Sequence, residues 1–224
     1  MTEPRRAWVA WSSGKDSALA LHDALADPGL AVVGLLTTTS EATAAVTMHE
    51  VPRMLVEAQA RALGLPLHVV SVPDPCPDDV YQQRMGDALD RARADGVTVV
   101  VFGDLHLADV RAYREEAMAG SGLDPVFPLW DQPVDQVAAR IVDLDLAPVV
   151  TCVDTEQLDA AFVGRTYDRS LLADLPAGVD PCGEHGELHT FVTDGPAFAH
   201  PVPVSVGPPR TDGRFARVAL TPAR

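Results

Sequence analysis

The stretch Ala7-Trp8-Val9-Ala10-Trp11-Ser12-Ser13-Gly14-Lys15-Asp16-Ser17 decides the fold. Five apolar residues followed at once by small polar ones read as a short buried strand, 7–11, that enters a turn at 12–15. An Ala/Leu-rich helix follows over 16–25 and stops near Pro28-Gly29. Strand, tight turn and helix in that order aim backbone N–H groups and the positive end of a helix dipole at one point above the strand. Small residues at 12, 13 and 14 allow an anion close to the backbone. Ser12 and Ser17 add hydroxyl donors, Lys15 adds a full charge, and Asp16 suits either a magnesium ion or the helix start. An ordinary N-cap at Ser12 or Ser13 is the plainer alternative.

Working outward, 30–36 is a second buried strand with Thr37, Thr38 and Thr39 at its end. A helix over 52–63 closes at Gly64, a strand covers 66–72, and a long helix over 77–94 stops at Gly96. A strand over 97–102 then opens into the loop 103–109, with Gly103 and Asp104 leading, before a helix over 110–119. Strands alternating with helices imply βαβ crossovers, hence an α/β fold with a doubly wound, mostly parallel sheet covered on both faces. Ligands of such sheets bind beyond the carboxyl ends of the strands. The 12–17 turn, the threonines and the 103–109 loop all belong there and should converge. After about residue 128 the pattern changes to a helix over 134–144, a strand over 147–153 and, past Asp174, short strands at 188–192 and 202–206 among prolines and glycines. The expected division is a main domain over 1–129 and a smaller C-terminal α+β lobe over 130–224.

The chain has 224 residues, 47 % of them hydrophobic, yet no uninterrupted apolar run of 18, so no membrane partner is expected. The first residues carry no secretory cleavage pattern, and a cytoplasmic protein is expected. Cys76, Cys152 and Cys182 are too few and too scattered for a disulfide framework. Cys182 and His185 have a ligand-like spacing without a second pair, which fits a buried thiol and a surface imidazole better. A net charge of −15 repels nucleic-acid backbones, so no nucleic-acid partner is expected. Of the 17 basic residues, 16 are arginine; Lys15 is the sole lysine, and it lies in the turn. A compact ammonium fits between phosphate oxygens where a planar guanidinium does not.

The turn is not a Walker A motif. Aligned on Gly14-Lys15, that motif's first glycine falls on Val9 and its closing hydroxyl falls on Asp16. Ser12-Ser13-Gly14-Lys15-Asp16-Ser17 instead resembles the PP-loop of the ATP pyrophosphatases (adenine nucleotide alpha hydrolase-like), whose usual form is Ser-Gly-Gly-x-Asp-Ser. Ser13 stands for the first glycine there, at some cost in backbone freedom.

Further blocks narrow the resemblance. Val100-Val101-Phe102-Gly103-Asp104, Arg111-x-Tyr113-Arg114-Glu115, Pro128-Leu129-Trp130 and Val163-Gly164-Arg165 are similar to the diphthine–ammonia ligase family. So is the dense run from Cys182-Gly183-Glu184-His185-Gly186-Glu187-Leu188-His189-Thr190 to Pro196. The resemblance implies ATP and Mg2+ as cofactors. It also implies a carboxylate, from a small molecule or a protein, that is adenylylated and then amidated by ammonia. Ser12, Ser13, Gly14, Lys15, Asp16, Ser17, Thr37, His49, Gly103 and Asp104 would hold the nucleotide, with Asp16 and Asp104 on the metal. Lys15, Asp104, Glu184 and Glu187 would carry the chemistry. Arg165, Glu184, Glu187, His189 and Thr190 would face the substrate, with Tyr167 nearby. On a strand over 187–192, Glu187 and His189 share one face, placed to handle an ammonium nucleophile. Asp104 as a helix N-cap and Arg165 in an interlobe salt bridge are the structural alternatives. Trp8, Trp11 and Trp130 read as core.

His185 and Leu188 stand where the family usually has an asparagine and an aromatic residue, which leaves the acceptor open. Oligomeric state is open as well, a homodimer included. Two competing readings remain: a sulfur-transfer PP-loop enzyme, disfavoured by isolated cysteines and negative charge, and an ATP-binding sensor of the universal-stress type.

Overall fold

The fold is taken from a computed structural model describing residues 3–46 and 51–223; His49 lies outside the described residues. The first part alternates β1 (Arg5–Ala10), α1 (Lys15–Ala26), β2 (Leu30–Ser40), α2 (Arg53–Leu63), β3 (Leu67–Val72), α3 (Asp78–Ala94), β4 (Val99–Val101), α4 (Ala108–Met118) and β5 (Asp124–Val126). All five strands run parallel in the order β3-β2-β1-β4-β5. The chain therefore winds outward from β1 to β3, returns, and winds the other way through β4 and β5. The reversal falls between β1 and β4. Neither loop leaving those two strands is held against a neighbouring crossover, so a crevice opens there.

Alternation along β1 divides the interior. Ala7, Val9 and Trp11 face one side with Leu19 of α1 and Leu55 and Val56 of α2, all buried. Trp8 faces the other side with Ala88, Leu89 and Ala92 of α3 and Met118 of α4. Helices thus cover both faces, and the interior strand β4, next to the central β1, is wholly buried, Val99 to Val101.

The second part holds α5 (Val134–Asp143), β6 (Pro148–Asp154), a 3-10 turn (Ala160–Phe162), α6 (Arg169–Asp174), β7 (Leu188–Val192), β8 (Val204–Val206), β9 (Arg210–Asp212), β10 (Phe215–Arg217) and β11 (Leu220–Pro222). It forms an antiparallel sheet in the order β7-β6-β10-β9 and a β11-β8 ribbon. Ile141, Val150, Tyr167 and Phe191 share one continuous core with Val9, Leu19 and Leu55 of the first part. α1 packs against β7 as well as its own sheet. The second part therefore sits on the parallel sheet close to the turn at 12–17.

Some elements differ from the sequence expectation. The threonines lie inside β2, which runs on to Ser40, rather than beyond it. β4 is only three residues long, and the fifth strand, Asp-Pro-Val, has neither apolar run nor alternation to announce it. No helix among the described residues is long and apolar enough to cross a membrane.

Candidate active site

The turn after β1 is built from both parts of the molecule. Ser13 takes a left-handed conformation, φ 73°, which lets the chain reverse into α1. Its carbonyl accepts from Val192 N at 3.0 Å and from Gln59 Nε2 at 3.1 Å. Gln59, fully buried on α2, also accepts from Trp11 Nε1 at 2.9 Å and donates to Val192 O at 2.7 Å. One amide side chain thereby fixes the end of β1, the turn and β7 together.

The N-cap of α1 is Gly14, which has no side chain to cap with, so neither Ser12 nor Ser13 is an ordinary N-cap. The first N–H of the helix, that of Lys15, is taken instead by the Thr190 hydroxyl. Ser12 Oγ instead accepts from Gly14 N at 3.3 Å and bonds Ser17 Oγ at 3.1 Å. Among the described residues, the buried hydroxyls of Ser13 and Thr37 have no hydrogen-bond partner. A helix start whose N–H groups after the first are open, beside orphaned hydroxyls, is the environment an oxyanion completes.

Lys15 is buried at 2 % exposure, and its ammonium lies 2.9 and 2.8 Å from the two oxygens of Asp16. It also donates to the carbonyl of Cys182 and lies 5.8 Å from the centre of the Tyr167 ring. Burial pulls its pKa down, but Asp16 and its other neighbours outweigh burial and hold it charged, above the ordinary lysine value. Tyr167 itself is buried and donates to Pro181 O at 2.7 Å. The lysine is thus tied to the second part of the chain, not extended into solvent.

The loop after β4 meets this turn closely. A Cβ on Gly103 would lie 2.9 Å from the backbone C and O of Asp16, so only glycine passes here without displacement. Asp104 is held bidentate by Arg114, at 2.6 and 3.1 Å. It does not cap α4, whose N-cap is Leu107. Leu105 N donates to Glu184 Oε2 at 3.3 Å, which brings the 182–190 run onto the same crevice.

Burial, reinforced by the Asp16 charge, pushes the Glu184 carboxyl up to about 7. On β7, burial and the charges of Lys15 and Arg217 pull His189 down to about 4, so its imidazole is neutral at pH 7. Burial pushes the Cys182 thiol well above its usual range, which keeps it protonated. The crevice is a cavity of about 640 Å³. Its polar end carries Ser12, Lys15, Asp16 and Glu184; its apolar end carries Tyr81, Met85, Leu89, Phe102 and Met118.

The structure brings together most of the residues singled out in the sequence. Ser12, Lys15, Asp16, Ser17, Thr37, Gly103, Asp104, Glu184, His189 and Thr190 all line the cavity. Ser13 and Gly14 form the turn beneath it. Arg165 does not line it; its guanidinium pairs with Asp174 at 2.7 Å and stacks on Phe162. Glu187 does not line it either. Its buried carboxylate accepts from Asp180 N at 3.4 Å and His185 N at 3.0 Å, so it shapes the 180–187 loop. Asp16 and Asp104 each face a cation already, so neither offers a bare carboxylate to a metal. Trp8 and Trp11 are buried as expected, whereas Trp130 is half-buried and clamps Arg111 with Phe127, 4.6 and 4.9 Å from the ring centres. Gln59 carries no signal in the sequence, where it is one polar residue on a helix that reads as amphipathic. Tyr113 and Arg114, in the Arg111–Glu115 run, also line the cavity, a position the sequence alone does not assign them.

A five-stranded parallel sheet whose reversal point carries a lysine-bearing turn at a helix start defines a doubly wound α/β protein built to hold an anion there. Comparison with protein families narrows this: Diphthamide synthase N-terminal domain matches residues 5–125 and Diphthamide synthase C-terminal domain matches residues 133–210. The chain belongs to the diphthamide synthase family. A search of curated proteins returned no match. Among solved structures, one described as a predicted subunit of tRNA methyltransferase from Methanocaldococcus jannaschii is similar at 16 % identity and a TM-score of 0.43, covering 85 % of this chain and 99 % of that one.

Proposed function

We propose that this protein is an ATP-dependent, AMP-forming ligase that activates a carboxylate and joins it to ammonia or an amine. The observation that carries the reading is the convergence, on one cavity, of the start of α1 with Lys15 and the Glu184 carboxyl of the second part.

The residues fit ATP. The open N–H groups of α1, Lys15 and the orphaned hydroxyls of Ser13 and Thr37 suit the phosphates, and the apolar end suits the base. A carboxylate oxygen of the acceptor attacks the α-phosphorus, the α,β bridge breaks, and pyrophosphate leaves onto the turn. Ammonia then attacks the acyl carbon, and AMP departs with the bonding pair. Lys15 neutralises charge building on the leaving pyrophosphate. Glu184, balanced near pH 7, takes the proton from ammonium. His189, neutral, orients the nucleophile without repelling it. Mg2+ bound to the nucleotide would screen its phosphates; holding it through Asp16 or Asp104 would require exchange of their cationic partners, Lys15 and Arg114.

The acceptor is a carboxylate of a small molecule or a protein, and nucleic acid is disfavoured by the net charge of −15. A protonated, buried Cys182 thiol argues against sulfur transfer. The test is incubation with ATP, Mg2+, ammonium and a panel of carboxylates. AMP and pyrophosphate appearing only with acceptor supports the reading, and ADP as product overturns it.

A further inference from the structure

A second cluster lies at the edge of the cavity, which His185 also lines, and plays no part in the chemistry above. His106, in the loop after β4, meets Asp180 and His185 of the second part, and one ligand atom from each lies within 4.8 Å of the others. His106 Nε2 is 3.8 Å from Asp180 Oδ2, and the two imidazole rings meet edge to face with centres 5.5 Å apart. Donors around a tetrahedral ion with bonds of about 2.0–2.1 Å lie roughly 3.3 Å apart, so the trio needs to contract by an ångström or so.

The supporting contacts resemble those of a built site. Asp180 Oδ1 already accepts from Cys182 N at 2.8 Å, which leaves Oδ2 turned to His106. The buried Glu187 carboxylate holds the backbone N–H of both Asp180 and His185. Gln157 Nε2 grips the His185 carbonyl at 3.2 Å. Ligand-bearing loops fixed by a surrounding shell of hydrogen bonds are what precise metal geometry requires.

We propose that His106, Asp180 and His185 form a binding site for a divalent transition metal, with Zn2+ the best-matched ion. Two imidazoles and a carboxylate are borderline donors that suit zinc over magnesium or calcium, and three protein ligands leave a position for water. Because His106 belongs to the first part and the other two to the second, a bound ion cross-links the rim of the crevice. Leu105 and Glu184, adjacent in sequence to two of the ligands, are themselves hydrogen-bonded, so the ion stiffens the wall that carries Glu184.

The test uses the full chain, stripped with chelator and dialysed, titrated with ZnCl2 by calorimetry and with CoCl2 by visible absorption. One equivalent is expected, with Co2+ bands of nitrogen and oxygen coordination. His106→Gln and His185→Asn are each expected to lose about 100-fold or more in affinity, while His200→Ala, at an exposed histidine, loses none. The melting temperature of the metal-free variants checks folding, and the exposed position of His185 makes its replacement a mild one. No binding by the unsubstituted protein, or unchanged binding in both variants, overturns the site. The readout needs no turnover, so it stands or falls separately from the ligase reading.

Discussion

Thr190 Oγ1 accepts the backbone N–H of Lys15 at 3.1 Å, joining residues 175 positions apart in sequence. The hydroxyl comes from β7, so the first N–H of α1 is satisfied by the second part of the chain while the rest of the helix start is left open. Thr190→Val removes the acceptor at nearly constant volume and leaves a buried donor unpaired. A loss of about 1–2 kcal/mol is expected, read as a lower urea midpoint at unchanged slope, together with weaker ATP binding. Unchanged stability and affinity would mean the two parts do not communicate through this bond.

Ser13 makes the opposite prediction. A serine at φ 73° is strained by about 1 kcal/mol, and its hydroxyl is buried without a partner among the described residues. Ser13→Gly relieves the strain but adds backbone freedom to the unfolded chain, so stability should hold or rise by up to about 1 kcal/mol. If the hydroxyl serves the phosphates, ATP affinity falls in the same variant. A rise in melting temperature with a weaker nucleotide would separate the two roles, and a drop in melting temperature would contradict the strain.

Gly103→Ala should be costly despite its single added carbon. The new Cβ meets the Asp16 backbone at 2.9 Å, and backbone cannot swing aside as a side chain can. A destabilisation of about 1–3 kcal/mol is expected, with the α1 start pushed out of line and ATP affinity lowered more than global stability explains. Thermal unfolding and nucleotide titration on one sample check both.

Glu184 gives a pH dependence with a definite sign. Its pKa is about 7 in the fold against an ordinary 4.5, so the fold favours the protonated form. The stability this provides is complete below about pH 4.5 and is lost as pH rises toward 7. His189 acts at the other end: depressed to about 4, it takes up no proton in the fold while the unfolded chain does, so stability is lost as pH falls from about 6.5 to 4. Glu184→Gln isolates the first effect. The variant should gain on the unsubstituted protein between pH 5 and 8, by about 2 kcal/mol after allowance for solvent screening. The limb of the rate profile near pH 7 should vanish with it.

Much of the fold was legible because its deciding signals are local. A strand–turn–helix at the N-terminus and the alternation after it specify a parallel sheet, and the turn residues announce an anion site. What was not legible depends on contacts that no window of sequence contains. β5 is strand-like only because β4 hydrogen-bonds it. Gln59 reads as one polar residue on an amphipathic helix until Trp11, Ser13 and Val192 surround it. Glu187 looked like a reacting carboxylate, but its oxygens are taken by backbone N–H groups of a loop whose path the sequence did not reveal. Arg165 looked like a substrate contact and has its partner nine residues on, at Asp174.

The central claim is cleavage between the α and β phosphates at the crevice between β1 and β4. Two analogues separate the bridges: β,γ-methylene-ATP keeps the α,β oxygen, and α,β-methylene-ATP replaces it. With acceptor and ammonium present, α,β cleavage yields AMP and methylenediphosphonate from the first and no turnover from the second. Turnover of the α,β-methylene analogue, with the β,γ-methylene analogue inert, would contradict it.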